Sequence, residues 1–391
     1  MSLTDTFTST GSKFFAHQGA MEKLRDGRGQ PITTHVMLTD VCNHSCAFCS
    51  VQARAGDSLF FKDVKAYLDI LLGYGLKSVI LSGGGNPILY KCKESGANIN
   101  DVVGACAARG LEVGLITNGM PLRKFSGAWS HSHNTFTIRE SWGTVRPETL
   151  DLLSWVRVSM SGLDHEEGEV YVPDVDSERT TLGFSYVAHD IYQEPADPHH
   201  GKVSRPLDLL SGDRGRGAER TFESRIEELT RQLSHYAKLY RPRYIRLLPN
   251  CLEPDRIAYR CGQLAAVAQR VNEYVDRDVA FVQNKPPQAP KACYLGYVHP
   301  VLNCDGYVYP CDSCVLNEAA GHTFANPWRV CHWSEVASLY ERPVRSLIAD
   351  PAKTCPGCVF TRQNEVLGAV REGRVELGLI QSESVEHANF V

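Results

Sequence analysis

The chain has 391 residues, 43% hydrophobic and 22% charged, with a formal net charge of -4 and a pI near 6.4. That length holds a large core plus an appendage, no apolar run is long enough to span a bilayer, and the acidic balance argues against a nucleic-acid binder. The polar, charge-broken stretch 1–30 lacks a secretory pattern, so a cytoplasmic protein without membrane attachment is expected.

Residues 1–30 read as a polar arm covering one end of the molecule. A largely apolar strand at 34–41 then delivers Cys42-Asn-His-Ser-Cys46-Ala-Phe-Cys49. Three thiolates at this spacing can converge on one 4Fe–4S cube and leave its fourth iron for a ligand that is not protein. A structural zinc site with a distant fourth ligand is the alternative. Helical periodicity covers 60–74, with Leu68, Leu71 and Leu72 on its apolar side. A strand at 78–81 ends in Ser82-Gly83-Gly84-Gly85-Asn86-Pro87, whose glycines permit close backbone approach to a ligand or form a tight turn. A helix at 98–109 holds Cys106 on an apolar face, which suits a buried small side chain. The strand at 112–116 ends Thr117-Asn118-Gly119.

Residues 121–140 break the rhythm and read as a covering loop, with His131 and His133 in it. A short helix at 146–153 and a strand at 156–160 follow, the strand finishing Ser159-Met-Ser161-Gly162. Another strand at 181–188 leads to His189, and the Pro-, Gly- and Arg-rich stretch 193–218 reads as an inserted loop. A long amphipathic helix at 219–240 precedes a strand at 243–248, which places Cys251 at that strand's end. Arg246 and Glu253 are candidates to orient a polar substrate there. A helix at 255–274, a short strand or connector at 279–284 and the semi-rigid 285–290 close this region.

Beyond it lie Cys293, Cys304, Cys311, Cys314, Cys331, Cys355 and Cys358. A turn at Asp305-Gly306 joining two short strands brings Cys293 and Cys311 together, and Cys355-Pro-Gly-Cys358 supplies a close pair. These four are an economical ligand set for one complete 4Fe–4S cluster. The close C-x3-C-x2-C and C-x2-C spacings among the 14 cysteines favour metal ligation in a reducing compartment over a disulfide framework.

Cys42, Cys46 and Cys49, with the aromatic Phe48 before the third cysteine, resemble the radical S-adenosylmethionine (SAM) enzymes. The resemblance implies that SAM chelates the open iron and that an electron cleaves it to a 5′-deoxyadenosyl radical, which takes a substrate hydrogen. It implies cofactor contacts from Phe48, from Gly83, Gly84, Gly85 and Asn86, from Thr117 and Asn118, and from Ser159 and Ser161. Aligned through Pro87, Asn86 stands where the family has an acidic residue. Residues 291–365 resemble the twitch domain, the single-cluster relative of the SPASM extension. That implies one auxiliary 4Fe–4S cluster on Cys293, Cys311, Cys355 and Cys358. Cys304, Cys314 and Cys331 leave a second auxiliary cluster or another ligand choice open, and zinc stays an alternative.

The strand and helix order predicts an α/β fold, a partial (β/α)6 TIM-like barrel over 31–285 with a small cysteine-rich α+β twitch/SPASM-like domain at 291–365 and a tail at 366–391. The expected activity is hydrogen abstraction from a small polar metabolite, such as a sugar, aminoglycoside or nucleoside, leading to epimerisation or oxidation. If Cys251 donates hydrogen to the substrate radical, as in radical epimerases resembling this family, the outcome is epimerisation. The alternatives are modification of a ribosomal peptide, modification of a nucleic-acid base, and a non-catalytic iron–sulfur electron carrier. An external electron donor such as flavodoxin or ferredoxin is the expected partner.

Overall fold

The computed structural model describes residues 3–8, 11–44, 46, 48–49, 51, 54, 56–119, 126–130, 135–139, 145–164, 170–190, 221–251, 253–284, 288–315, 328–355, 358–377 and 385–391. Its strands are β1 (Thr33–Val36), β2 (Ser78–Leu81), β3 (Glu112–Thr117), β4 (Ser126–Ser130), β5 (Thr135–Arg139), β6 (Trp155–Ser159), β7 (Thr181–Ala188), β8 (Tyr244–Pro249), β9 (Ala280–Val282), β10 (Val301–Leu302), β11 (Tyr307–Tyr309) and β12 (Cys331–His332). One 10-stranded sheet runs β12-β11-β10-β1-β2-β3-β6-β7-β8-β9. From β10 to β9 every neighbouring pair is parallel, and β11 and β12 add antiparallel strands.

Period-2 alternation decides which side chains face the helices. Thr34 points outward, where its hydroxyl meets the Tyr67 hydroxyl at 2.8 Å. Its neighbour His35 therefore points the other way. Val79, Leu81, Val113, Leu115, Val156, Val158, Ile245 and Leu247 are buried in the main core. The helix Phe61–Gly73 presents Val64, Tyr67, Leu68 and Leu71 to them, an i, i+3, i+4, i+7 stripe. On the opposite face, His35, Ile80, Ile116, Arg157, Arg246 and Val301, from six strands, line one cavity. The sheet is thus curled around a lumen as an open (β/α) barrel. Leu295, Phe360 and Gln363 line the same cavity.

Two glycines shape the lumen's N-terminal end. A Cβ on Gly114 would lie 2.1 Å from the Trp155 ring, and one on Gly183 would lie 2.1 Å from Tyr244. Only glycine lets these rings lie across the neighbouring strand. Phe390 meets Trp155 edge-on at 5.2 Å, and Phe7 stacks on Tyr244 at 4.4 Å. Residues 387–391 then stitch the strand starts together. Thr33 and Ser78 hydroxyls both donate to Asn389 O at 2.6 Å, Asn389 donates to Glu112 at 2.5 Å, and His387 meets Thr181 at 3.0 Å. The barrel therefore has a closed floor.

Several elements differ from the sequence expectations. The first strand stops at Val36, because the chain beyond pairs with its own return: Leu59 N–H donates to Leu38 O at 3.0 Å and Asp40 N–H to Asp57 O at 3.1 Å. The expected loop at 121–140 contains the antiparallel hairpin β4–β5; its first strand, Ser-Gly-Ala-Trp-Ser, is poor in strand-forming residues. His131 and His133 lie outside the described residues. The helix expected from 219 begins at Ile226, after a single tight turn at Glu223–Arg225. Phe222 N–H is held there by Asp190 at 2.7 Å. The inserted stretch 193–218 lies outside the described residues. No break in the sheet separates the two expected domains, since β10 pairs directly with β1. The helix Thr361–Arg371 runs across position 366, where the sequence places the start of a tail.

Candidate functional site

At the C-terminal end of β1, the first cysteine group is held by backbone and by Arg54. Cys49 N–H donates to Cys46 O at 2.9 Å, which closes the turn between those two cysteines. Arg54 donates to His44 O at 2.8 Å and lies 3.5 Å from the Cys49 sulfur. His44 N–H points at the Cys42 sulfur at 3.5 Å. Cys42, Cys46 and Cys49 are all half-buried. Burial pushes the Cys46 thiol well up, and the nearby Cys49 and Cys42 push it further, while the Ser161 hydroxyl opposes them. Burial also raises Cys42. The three thiols are partly shielded and lie close enough to act on one another.

The glycine-rich stretch after β2 packs directly on this loop. Gly85 N–H donates to Thr39 O at 2.7 Å, and Asn86 N–H to Val41 O at 2.8 Å. A Cβ at Gly85 would sit 2.0 Å from Val41 O. Gly83 and Gly84 adopt positive φ of 77° and 66°. The glycines are thus required by the approach of two chain segments, independently of any ligand.

Asn86 sits at the centre of an amide cluster in which it and Asn118 are buried and Asn43 is exposed. Its Nδ2 donates to Asn118 at 2.5 Å and to Asn43 at 3.2 Å, and its Oδ1 accepts from Thr117 at 2.9 Å and from Ile88 N–H at 3.4 Å. Asn118 in turn donates to Asn43 at 3.0 Å and approaches the Cys42 sulfur at 3.9 Å. Asn43, inside the cysteine stretch, carried no sequence signal of its own beyond its place between two ligand candidates.

A second wall comes from the ends of β6 and β7. Ser159 donates to Ser161 at 3.2 Å. Phe48 packs on His189, ring centroids 4.6 Å apart. His189 lies 3.7 Å from Asp164, which pairs with the buried Arg225 and accepts from the Tyr186 hydroxyl at 3.2 Å. Cys251 follows β8, half-buried, its sulfur 3.8 Å from Pro249 O.

The second group also converges. Burial drives the Cys293 thiol far up, and Cys311, Cys358 and Cys355 add to it in that order. Cys358 is pushed up to about 12, by burial first and then by Cys311. Cys358 N–H donates to Cys355 O at 3.2 Å. Cys304 and Cys331, also raised to about 12 by burial, face acidic neighbours instead: Asp40, Asp305 and Asp57 for Cys304, Glu335 for Cys331. The Cys314 side chain lies outside the described residues.

Among the described residues, no three His, Cys, Asp or Glu side chains close around a single ion. Cubane thiolates bind different irons and stand further apart. A trio of mutually sensed thiols and a separate quartet fit the donor sets of an open and a complete 4Fe–4S cluster. The raised thiols mean that metal loading would release protons.

No family model matches the chain, and no curated protein matches it. Among solved structures, the chain is similar to Streptococcus suis SuiB bound to precursor peptide SuiA, with 12% identity and a TM-score of 0.45 over 84% of this chain and 68% of that one. It is similar to anSMEcpe with bound AdoMet and Cp18Cys peptide, with 11% identity and a TM-score of 0.44 over 87% and 83%. It is also similar to BtrN in complex with AdoMet and 2-DOIA, with 11% identity and a TM-score of 0.34 over 90% and 92%. No described helix is long and apolar enough to cross a membrane.

Proposed function

We propose that the chain is a radical SAM enzyme. The observation that supports this reading is that Cys42, Cys46 and Cys49, on the chain that leaves β1, lie close enough to act on one another. When bound there, an open 4Fe–4S cluster with SAM supplies a 5′-deoxyadenosyl radical that removes a hydrogen atom from substrate. The chain's own part is positional. Arg54 and the Asn43–Asn86–Asn118 cluster brace the cysteine loop. In this reading Asn86 acts first as that brace, since its oxygen is already taken by Thr117 and Ile88. Gly83, Gly84 and the Ser159 and Ser161 hydroxyls offer backbone and polar contacts to the cofactor at neighbouring strand ends.

The substrate presents a C–H bond of a small polar metabolite or of a ribosomal peptide. Either enters from the C-terminal face, because the floor is closed by Asn389 and its partners. Cys251 gives its hydrogen atom to the substrate radical, which makes the net reaction an epimerisation. An external donor such as flavodoxin or ferredoxin then returns an electron, and solvent returns the proton. The quartet Cys293, Cys311, Cys355 and Cys358 holds the auxiliary cluster.

Anaerobically reconstituted protein, reduced with dithionite in the presence of SAM, is expected to release methionine and 5′-deoxyadenosine. The Cys42→Ala/Cys46→Ala/Cys49→Ala form releases neither. Wild-type protein with its full iron complement and no 5′-deoxyadenosine would overturn the reading. For Cys251, solvent deuterium enters the product at the epimerised carbon, and Cys251→Ala consumes SAM without forming that product; normal product from Cys251→Ala removes the donor role.

A further inference from the structure

The lumen holds positive charge that the described chain does not neutralise. Arg157 on β6 and Arg246 on β8 both line the cavity, one on each side of β7. The β7 positions in register with Arg157 and Arg246 are Gly183 and Ser185, so small residues separate the two cations. The Nε of each guanidinium is shut off from solvent with no hydrogen-bond acceptor. Arg157 has help from the Tyr244 hydroxyl and from the Trp155 ring, 5.7 Å from its guanidinium carbon. For Arg246, no hydrogen bond or ion pair is found among the described residues.

The other polar groups of the cavity do not supply the missing counter-charge. Asp312 is one carboxylate acting on Arg157, Arg246, His35 and His299 together. Burial keeps both histidines neutral at pH 7: His35 is lowered, and His299 is lowered to about 4. Two neutral acceptor atoms in the cavity carry no charge and lack a donor. His35 is 7% exposed and Gln283 8% exposed, and neither His35 Nε2 nor Gln283 Oε1 has a partner. Burial and the charge of Arg157 hold the Arg246 guanidinium down to about 9. A guanidinium Nε buried without an acceptor is costly to fold around. A guanidinium also presents a planar fork that fits a carboxylate or phosphate in two parallel bonds.

We propose that the lumen between Arg157 and Arg246 is an oxyanion site, and that the substrate carries a carboxylate or phosphate group into it. The two guanidinium forks give the bound group its hydrogen bonds, and the aromatic floor stops it below. The identity of the anion's owner as substrate rests on the radical-enzyme reading; the site itself does not.

The test uses the full, metal-loaded chain without SAM or reductant. Succinate and inorganic phosphate are titrated calorimetrically, with succinamide and chloride as controls. Saturable binding of succinate, phosphate or both is expected, with succinamide and chloride silent, and Arg246→Met is expected to weaken it at least tenfold. Arg246→Lys, which keeps the charge and loses the fork, falls between. On unmodified protein, phenylglyoxal labelling of Arg157 and Arg246, read by peptide mass, is slowed by the anion that binds. Neither oxyanion binding better than succinamide, together with unprotected arginines, overturns the site. Carboxylate binding alone or phosphate binding alone assigns the group that the substrate bears. Anion binding by a protein that never cleaves SAM sinks the radical reading and leaves the site. SAM cleavage by a protein that binds no oxyanion does the reverse.

Discussion

The Asn86 amide donates to the Asn118 amide oxygen at 2.5 Å, linking the loop after β2 to the loop after β3 directly beneath Cys42. Asn86→Ala removes the partner of Thr117, Asn118 and Asn43 at once. Leaving buried polar groups unsatisfied costs about 1–3 kcal/mol each. The variant is expected to lose about 2–4 kcal/mol in urea denaturation, and to retain less iron at the first site. Unchanged iron content would separate the amide cluster from the cysteine loop.

Gly85 and Gly104 give opposite expectations for the same substitution. Gly85→Ala drives a methyl to 2.0 Å from Val41 O, so backbone must move at the entry to the cysteine loop. Overpacking of this kind costs about 1–3 kcal/mol or more. Gly104 lies inside the helix Ile99–Ala107 with nothing within 4 Å of its added Cβ. Gly104→Ala is expected to stabilise by about 0.5–1 kcal/mol. Midpoints of chemical denaturation moving the same way in both variants would contradict the packing described.

Acid is expected to loosen the floor. His387 is lowered from 6.5 to about 4, first by burial, against the opposing pull of Glu386. Its folded pKa lies below its unfolded one, so the unfolded chain binds more protons between those values. Stability is therefore whole above about pH 6.5, falls as pH drops, and levels off below about pH 4. At about pH 5 the loss from this group is roughly 2 kcal/mol. His299, also lowered to about 4, acts in the same direction. His387 has a φ of 55°, which asparagine tolerates. His387→Asn is expected to flatten the pH dependence of the denaturation midpoint between about pH 6.5 and 4; an equally steep profile would exonerate this side chain.

Iron counts separate the two thiol groups. Replacing Cys42, Cys46 and Cys49 by alanine is expected to remove about four irons per chain and to spare about four. Replacing Cys355 and Cys358 does the converse. Cys304→Ala and Cys331→Ala are expected to keep the full complement, because the groups that act on those thiols are carboxylates and not the quartet's thiols. Loss of iron from either single variant would redraw the ligand set.

Much of this architecture can be read locally in the chain. The strand expected at 181–188 coincides with Thr181–Ala188, whose run of apolar and hydroxyl residues has hardly a break. Asn98, followed by Asp101, marks its helix start through a capping box that the structure shows complete. The alternation in Trp-Val-Arg-Val-Ser and Tyr-Ile-Arg-Leu-Leu-Pro already turns Arg157 and Arg246 away from the helices. That signal reaches Arg157 as well as Arg246, although only Arg246 stands near the end of a strand next to an evident site residue. What local pattern cannot give is contact across the chain. Nothing near Thr33 or Ser78 announces that both will bond Asn389, and the 366–391 stretch reads as a tail for the same reason. The amide cluster is similar: Asn86, Asn118 and Asn43 each suit a turn alone, and their meeting depends on three loops arriving together.

The floor orders events in time. Thr33 and Asn389 are 356 positions apart, so a ribosome builds β1 long before the residues that cap it. Every parallel strand emerges while the Thr33 and Ser78 hydroxyls and the Trp155 ring still lack the partners that cover them. Long-range contacts of this kind form slowly and leave intermediates exposed. Nascent chains stalled before residue 385 are therefore expected to be cut readily by protease near β1 and β2, and chains extended past residue 391 to resist. Equal resistance in both would show that the strand starts are protected before residues 385–391 arrive. Residues 385–391 thus act as a checkpoint of synthesis: the starts of the parallel strands gain their cover only once translation has passed them.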